Sequence, residues 1–193
     1  MTDNFHIIIQ LLNFDSEDDF YFLQILQRKK ENEMLGSNSH VVKNYYIKSV
    51  EQLEKNKNEI VQLCEIFNAR AMIRLNRRSF TNVAFKAMVN LANTISNKDF
   101  GFCHTQYDSA CGQGHNEKNK SWILDIYQVG RTTNDLVIFI ERECDPIGFK
   151  FITVIPSKNG VHLITRPFNT QQFGMKYPEI EVHKDNPTNL YIP

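Results

Sequence analysis

No apolar run in this 193-residue chain approaches the ~20 residues that a bilayer span requires. Nor is charge of either sign in excess, since Lys plus Arg and Asp plus Glu number 22 each. The first absence excludes a transmembrane helix. The second removes any global pull toward nucleic acid or an anionic membrane, so binding of that kind must rest on a local patch. Proline and glycine are sparse, at six and eight, and they fall in separate turns rather than in a linker. Residues 1–6 hold neither a basic n-region nor a small-residue cleavage site, which favours a first strand over a secretory leader. Four cysteines in a chain this long, with no such leader, imply reduced thiols and a cytoplasmic location. What is present, 41% hydrophobic residues, suffices for a real core.

A buried strand is expected over residues 7–14, from their isoleucines and leucines. Over 20–28, Asp15 and Ser16 are placed to cap a helix. Yet Tyr21, Leu23 and Ile25 alternate with Phe22, Gln24 and Leu26, and alternation with aromatics favours a strand. A polar loop follows over 29–40, then a second strand over 41–48. Ser49-Val50-Glu51-Gln52 reads as a capping box, opening a helix with Leu53, Ile60, Leu63, Cys64 and Phe67 on its apolar stripe. The next strand places Ala69, Ala71, Ile73 and Leu75 on one face and Arg70, Met72, Arg74 and Asn76 on the other. Ser79 caps a helix whose expected core face is Val83, Ala84, Ala87, Met88, Leu91, Ala92 and Ile95. Residues 97–120 are polar, contain Gly101, Gly112 and Gly114, and are expected as a long loop or insertion. A strand at 122–126, a helix at 133–143, a hairpin about Gly160, a short helix near Gln171 and a last strand at 180–183 complete the order. Single helices mixed with paired strands argue for α+β, with helices covering one sheet face.

The segment Ser157-Lys158-Asn159-Gly160-Val161-His162-Leu163-Ile164-Thr165-Arg166 reads as strand, tight turn, strand. Gly160 is expected to supply a positive φ there. Such a turn exposes backbone N–H groups, and Lys158, His162 and Arg166 add donors, a combination that suits phosphate. Upstream, Trp122-Ile123-Leu124-Asp125-Ile126 places one carboxylate in an apolar strand. An acid there is costly unless paired or coordinated, or else it faces solvent at an edge.

Arg28, Lys29, Lys30, Arg70, Arg74, Arg77 and Arg78 form either a cationic wall for a nucleic acid backbone or a solvated face paired with acids such as Glu65. Asn76 shares the Arg74 face. Tyr21, Tyr45, Tyr46 and Tyr127 suit base stacking or core packing. Cys103, His104, Cys111 and His115 are Zn2+-type ligands clustered in the irregular segment, without C-x-x-C spacing. Cys64 and Cys144 read as core thiols.

A strand carboxylate, then the Ser157–Gly160–His162 hairpin, then a late acidic strand is the motif order of the archaeo-eukaryotic primase (primase-polymerase) superfamily. Residues 125–181 resemble it. The resemblance implies an RRM-like mixed or antiparallel sheet with helices on one face over 121–193, a smaller N-terminal α/β lobe over 1–96, and 97–120 as an insertion. It implies that Asp125 is the first motif's acid, that Ser157, Gly160 and His162 form the phosphate-contacting second motif, and that Glu181 is the third motif's carboxylate. Mg2+ or Mn2+ on Asp125 and Glu181 would follow, with a nucleoside triphosphate and DNA or RNA as partners. Lys158 and Arg166 would flank the triphosphate. Arg28, Lys30, Arg74, Asn76 and Arg77 are the candidates for the nucleic acid.

One position departs from the family. Its second acid, two residues after the first, is Tyr127 here, which removes a negative charge from a site for hard cations. Two readings follow: a primase-like nucleotidyltransferase, or a relative that binds nucleotide or nucleic acid without turnover. A histidine-dependent RNA phosphoesterase ranks third, because His162 and His104 lack the paired His-x-Thr/Ser spacing.

Overall fold

The computed structural model describes residues 1–33, 35–36, 38–114, 118–127 and 133–193. Two sheets, both paired antiparallel, organise an α+β fold. The first contains β1 (Thr2–Asp3), β2 (Asp19–Gln27), β3 (His40–Ile47), β4 (Arg70–Arg74), β5 (Arg78–Ser79) and β10 (Pro187–Ile192). Its order is β1-β10-β4-β2-β3, with β5 also on β2. The second contains β6 (Trp122–Ile126), β7 (Phe151–Pro156), β8 (Val161–Thr165) and β9 (Val182–His183), in the order β7-β8-β6-β9. The helices are α1 (Phe5–Ile9), α2 (Val50–Ile66), α3 (Phe80–Ser96), α4 (Gln106–Gly112), α5 (Thr133–Glu143) and α6 (Thr170–Lys176).

Strand alternation distributes the core among three clusters. Tyr21, Leu23 and Ile25 of β2 join Ala71 and Ile73 of β4 and Leu53, Ile60 and Cys64 of α2. Ile123, Ile155 and Ile164 of the second sheet enter this same cluster, so one face of each sheet packs toward the other. The opposite residues of the second sheet, Leu124, Ile126 and Leu163, lie against Leu136 and Ile140 of α5 and Phe173 of α6. Phe20 and Phe22, on the other face of β2, pack with Val83 of α3 and with Ala110 and Cys111 of α4.

The caps read from the sequence form as expected. Ser49 Oγ accepts from the Gln52 amide at 3.1 Å, and Gln52 Oε1 accepts from Lys48 N at 2.7 Å. Ser79 Oγ accepts from Asn82 N at 3.0 Å. The strands at β2, β3, β4 and β6, the hairpin, and the helices α2, α5 and α6 also stand where the pattern placed them.

Several expectations need correction. Residues 7–14 are not a strand, because the short helix α1 begins at Phe5. Asn4 sits just before it, its carbonyl accepting from Ile8 N at 2.9 Å while its side chain donates to Pro156 O and Asn189 O, each at 2.9 Å. Phe5 and Ile8, three apart, are then both buried. Tertiary anchoring outweighs the strand preference of the isoleucines.

Segment 97–120 is not a loop throughout. It holds a 3-10 turn at Phe100–Thr105 and α4, because Ala110 and Cys111 complete the cluster over Phe20 and Phe22. At the end of the chain β10, within residues 121–193, pairs between β1 and β4 of the first sheet. The first sheet, expected in the smaller lobe, has six strands to the second sheet's four. Finally, α3 turns inward only part of the expected face: Val83 is buried and Ala87 and Leu91 are half-buried, while Ala84, Met88, Ala92 and Ile95 are exposed.

Candidate functional site

β6 and β8 pair so that Asp125 lies opposite His162. Ile123 and Ile164, two residues along each strand, face the first sheet, and so therefore do Asp125 and His162. His162 Nε2 is 3.1 Å from Asp125 Oδ1, and His162 Nδ1 is 2.7 Å from Thr188 Oγ1 on β10. A carboxylate can only accept, so the N–H belongs on Nε2 and Nδ1 accepts from the Thr188 hydroxyl. Both ring nitrogens are thereby committed, and the imidazole bridges the two sheets.

His183 on β9 adds a second imidazole. Its Nε2 lies 3.4 Å from Asp125 Oδ2 and 3.3 Å from Glu181 Oε2. The Tyr127 hydroxyl donates to Asp125 Oδ2 at 3.1 Å. Burial, then the neighbouring Asp125, pushes the Tyr127 phenol upward, so it remains a donor at neutral pH.

Around this centre opens a cleft of about 240 Å³, lined among others by Arg28, Arg70, Tyr127, Ser157, Lys158 and Asn159. Glu31 receives Arg70 Nε at 2.8 Å and a second bond from Arg70 Nη2, and its Oε1 also meets Lys158 Nζ at 3.0 Å. Burial works to raise the Glu31 carboxyl, but the bonds from Arg70 and Lys158 outweigh it and hold it below the usual carboxylate range. Arg28 has no hydrogen-bond or ion-pair partner for its guanidinium among the described residues. Arg28, Arg70 and Lys158 thus line the cleft together with Asp125, and Arg70 and Lys158 are paired to Glu31.

Gly160 does not serve as expected, because its φ is not positive. A Cβ there would run into the Ile126 carbonyl oxygen and lie 3.0 Å from Ile126 C and 3.1 Å from Tyr127 Cα. The missing side chain is what lets the hairpin seat on the end of β6. The turn closes with Ser157 N donating to Gly160 O at 2.9 Å.

Asp125, His162, Ser157, Lys158 and Arg28 therefore come together, and several other candidates do not. Arg166, at the far end of β8, donates to Asn119 O at 2.7 Å and lines a separate pocket with Asn13, Arg77 and Ser121. Arg74 pairs with Asp185 at 3.7 Å, and Asn76 is buried, donating to Ser121 O at 3.0 Å. Arg77 meets Asp15 at 2.7 Å and Asp19 at 3.2 Å. Lys30 is exposed on the turn that carries Glu31. His104 is exposed on the Phe100–Thr105 turn, so the second imidazole near His162 is His183.

The donor set does not fit a pair of hard divalent cations. Both Asp125 oxygens face imidazole nitrogens, Tyr127 donates where an acid would ligate, and His183 stands between Asp125 and the 77% exposed Glu181 side chain. Among the described residues no three His, Cys, Asp or Glu side chains are placed to hold a metal ion. The zinc candidates fare no better. Cys111 is buried with its thiol pushed up to about 12 by burial, Cys103 is half-buried, and His115 lies outside the described residues.

Glu31, His183 and Thr188 were missed by sequence reasoning, and Arg70 was named only as one member of the candidate cationic wall. Arg70 alternates with Met72 and Arg74 on a strand face, a signal that was present but unspecific. Thr188 belongs to the strand that no pattern announced.

The cleft carries a pH signature. Burial lowers the His162 pKa from its ordinary 6.5, Asp125 opposes that, and His183 and Arg70 reinforce it. The folded state binds this proton less tightly than the unfolded chain, so unfolding takes a proton up. Stability from this group is complete above about pH 6.5 and declines as pH falls through 6.5 toward the lower folded value. The melting temperature should drop across that window in the native chain, and His162→Gln should flatten the drop. An unchanged profile in the variant would contradict this assignment.

No protein-family model matches the chain, and comparison with curated proteins and with solved structures finds no match.

Proposed function

We propose that the cleft binds the phosphates of a nucleotide, free or at a nucleic acid end, and holds them with fixed cations rather than through a divalent metal. In this reading the chain is a non-catalytic counterpart of the primase-polymerases that residues 125–181 resemble. The observation that carries it is the meeting of the hairpin and the acidic strand in one cleft with Arg28, whose guanidinium has no hydrogen-bond or ion-pair partner among the described residues, alongside Arg70 and Lys158. Arg28, with Arg70 and Lys158 gathered on Glu31, supplies guanidinium and ammonium donors that suit a polyanion. The half-buried Ser157 and the exposed Asn159 supply further polar lining. The Tyr127 ring, largely exposed at the mouth, offers a surface on which a base can stack.

Asp125 then acts by position. It orients His162 and His183 instead of ligating a metal. Removing one charge-assisted hydrogen bond costs ~1.5–3 kcal/mol, so Arg28→Ala should weaken nucleoside triphosphate binding about tenfold or more. Isothermal titration calorimetry reads this directly. Unchanged affinity in Arg28→Ala, or no binding by the native chain at millimolar ligand, would overturn the proposal.

The nucleotidyltransferase reading is favoured by the pairing of Asp125 with His162, the first and second motif positions of that family. Metal-dependent nucleotide incorporation by the unaltered chain would replace the binding-only reading. Incorporation that appears only in Tyr127→Asp would mark a decayed enzyme.

A further inference from the structure

We propose that α3 is the seat of a two-fold dimer, its outward face packing antiparallel against the same face of a second copy of this chain. This inference is independent of the cleft. α3 turns Val83 inward, and Ala87, Asn90, Leu91 and Thr94 are half-buried with it. Its opposite face carries Phe85 at 63% exposure, Met88 at 65%, Val89 at 60% and Ile95 at 49%, with the exposed Ala92 among them. Spacing of 85, 88, 92 and 95 is the alternating three and four of a helix–helix seam. A helix apolar on both faces belongs in an interior, and among the described residues nothing covers one face here.

The lack of charge on this face lets a second copy serve as the cover. Lys86 is the one charged residue of α3, and its ammonium is tied to Gln113 O at 2.8 Å, beside the neighbouring helix. Two identical faces therefore meet without like charges opposed. Antiparallel pairing sets Phe85 against Ile95 and the long Met88 against the small Ala92, each contact repeated by the two-fold axis. The Phe100–Thr105 turn packs on α3 and adds the exposed Phe100 and Phe102. At about 150–250 Å² for a whole aromatic side chain, the exposed parts of Phe85, Met88, Val89, Ile95, Phe100 and Phe102 total on the order of 600 Å². That approaches the ~800 Å² per partner of a stable interface.

Sedimentation equilibrium of the whole chain between 1 and 100 µM tests this. The expected result is twice the chain's mass at the upper concentrations, reverting to a monomer in Met88→Glu and in Val89→Lys. Both sites are exposed in the monomer, so circular dichroism should show the fold retained; two independent variants guard against misfolding in one. Phe149→Ser, in a distant exposed segment, should leave the dimer intact. A native chain that stays monomeric at 100 µM would overturn the proposal, as would a dimer that survives both α3 variants or is dissociated by Phe149→Ser. Binding to phosphatidylcholine vesicles by a monomeric native chain would likewise overturn it, and would assign the face to lipid.

Discussion

Gly160→Ala should dismantle the cleft. The added methyl meets the Ile126 carbonyl oxygen and crowds Ile126 C and Tyr127 Cα, at 3.0 and 3.1 Å. All of these are backbone atoms, which cannot rotate aside as a side-chain end can. The hairpin must lift from β6, and Asp125, His162, Lys158 and Asn159 lose their common placement. Overpacking usually costs ~1–3 kcal/mol, and with an unyielding neighbour the upper end applies. The expected drop in melting temperature is about 6–12 °C for a domain of this size, with nucleotide binding reduced at least tenfold. A variant that melts and binds like the native chain would show that the hairpin does not seat on β6 as described.

The second large effect is expected at Asp185, in the connection from β9 to β10 that passes between the sheets. Arg78, among the most buried side chains, donates to its Oδ1 at 3.1 Å and its Oδ2 at 2.6 Å. Asn76 donates to Oδ1 at 3.1 Å, and Arg74 bonds the Asp185 carbonyl. Burial lowers the Arg74 pKa, and Asp185 opposes that shift, so this carboxylate is what makes the buried Arg78 and half-buried Arg74 guanidiniums tolerable. Asp185→Ala leaves them uncompensated, at a cost of ~3–5 kcal/mol, which corresponds to a loss on the order of 10 °C. Asn186 and Pro187, next in the chain, line the cleft, so affinity should fall as well. Asp185→Asn retains an acceptor and should lose less. Equal melting of all three chains by scanning calorimetry would contradict this role.

What the sequence disclosed, and what it hid, divides by the range of the interactions. Asp125 and His162 were legible because strand alternation places them on definite faces and a tight turn fixes the hairpin. The caps at Ser49 and Ser79 were legible for the same local reason. α1 was not, because Asn4 is held by Pro156 and Asn189, some 150 and 185 positions away. β10 was hidden by its polar Pro187-Thr188-Asn189 start, which resembles a loop until β1 and β4 pair with it. With it went Thr188, and so the partner of His162. Arg74 and Asn76 sit on the strand face that the pattern gave them. That face is closed by Asp185, whose position depends on the crossing between sheets. α3 misled because apolar residues surround most of it, so periodicity alone could not tell the face turned inward from the one left bare.

The central claim is that fixed cations, not a metal, hold phosphate in this cleft. Titration of the native chain with a nucleoside triphosphate, in excess chelator and then in millimolar Mn2+, tests it most directly. Phosphate held by fixed cations should bind in chelator, change less than about threefold in affinity with Mn2+ and weaken in both Arg28→Ala and Lys158→Ala. Binding that appears only with Mn2+ and is abolished by Asp125→Asn would contradict it.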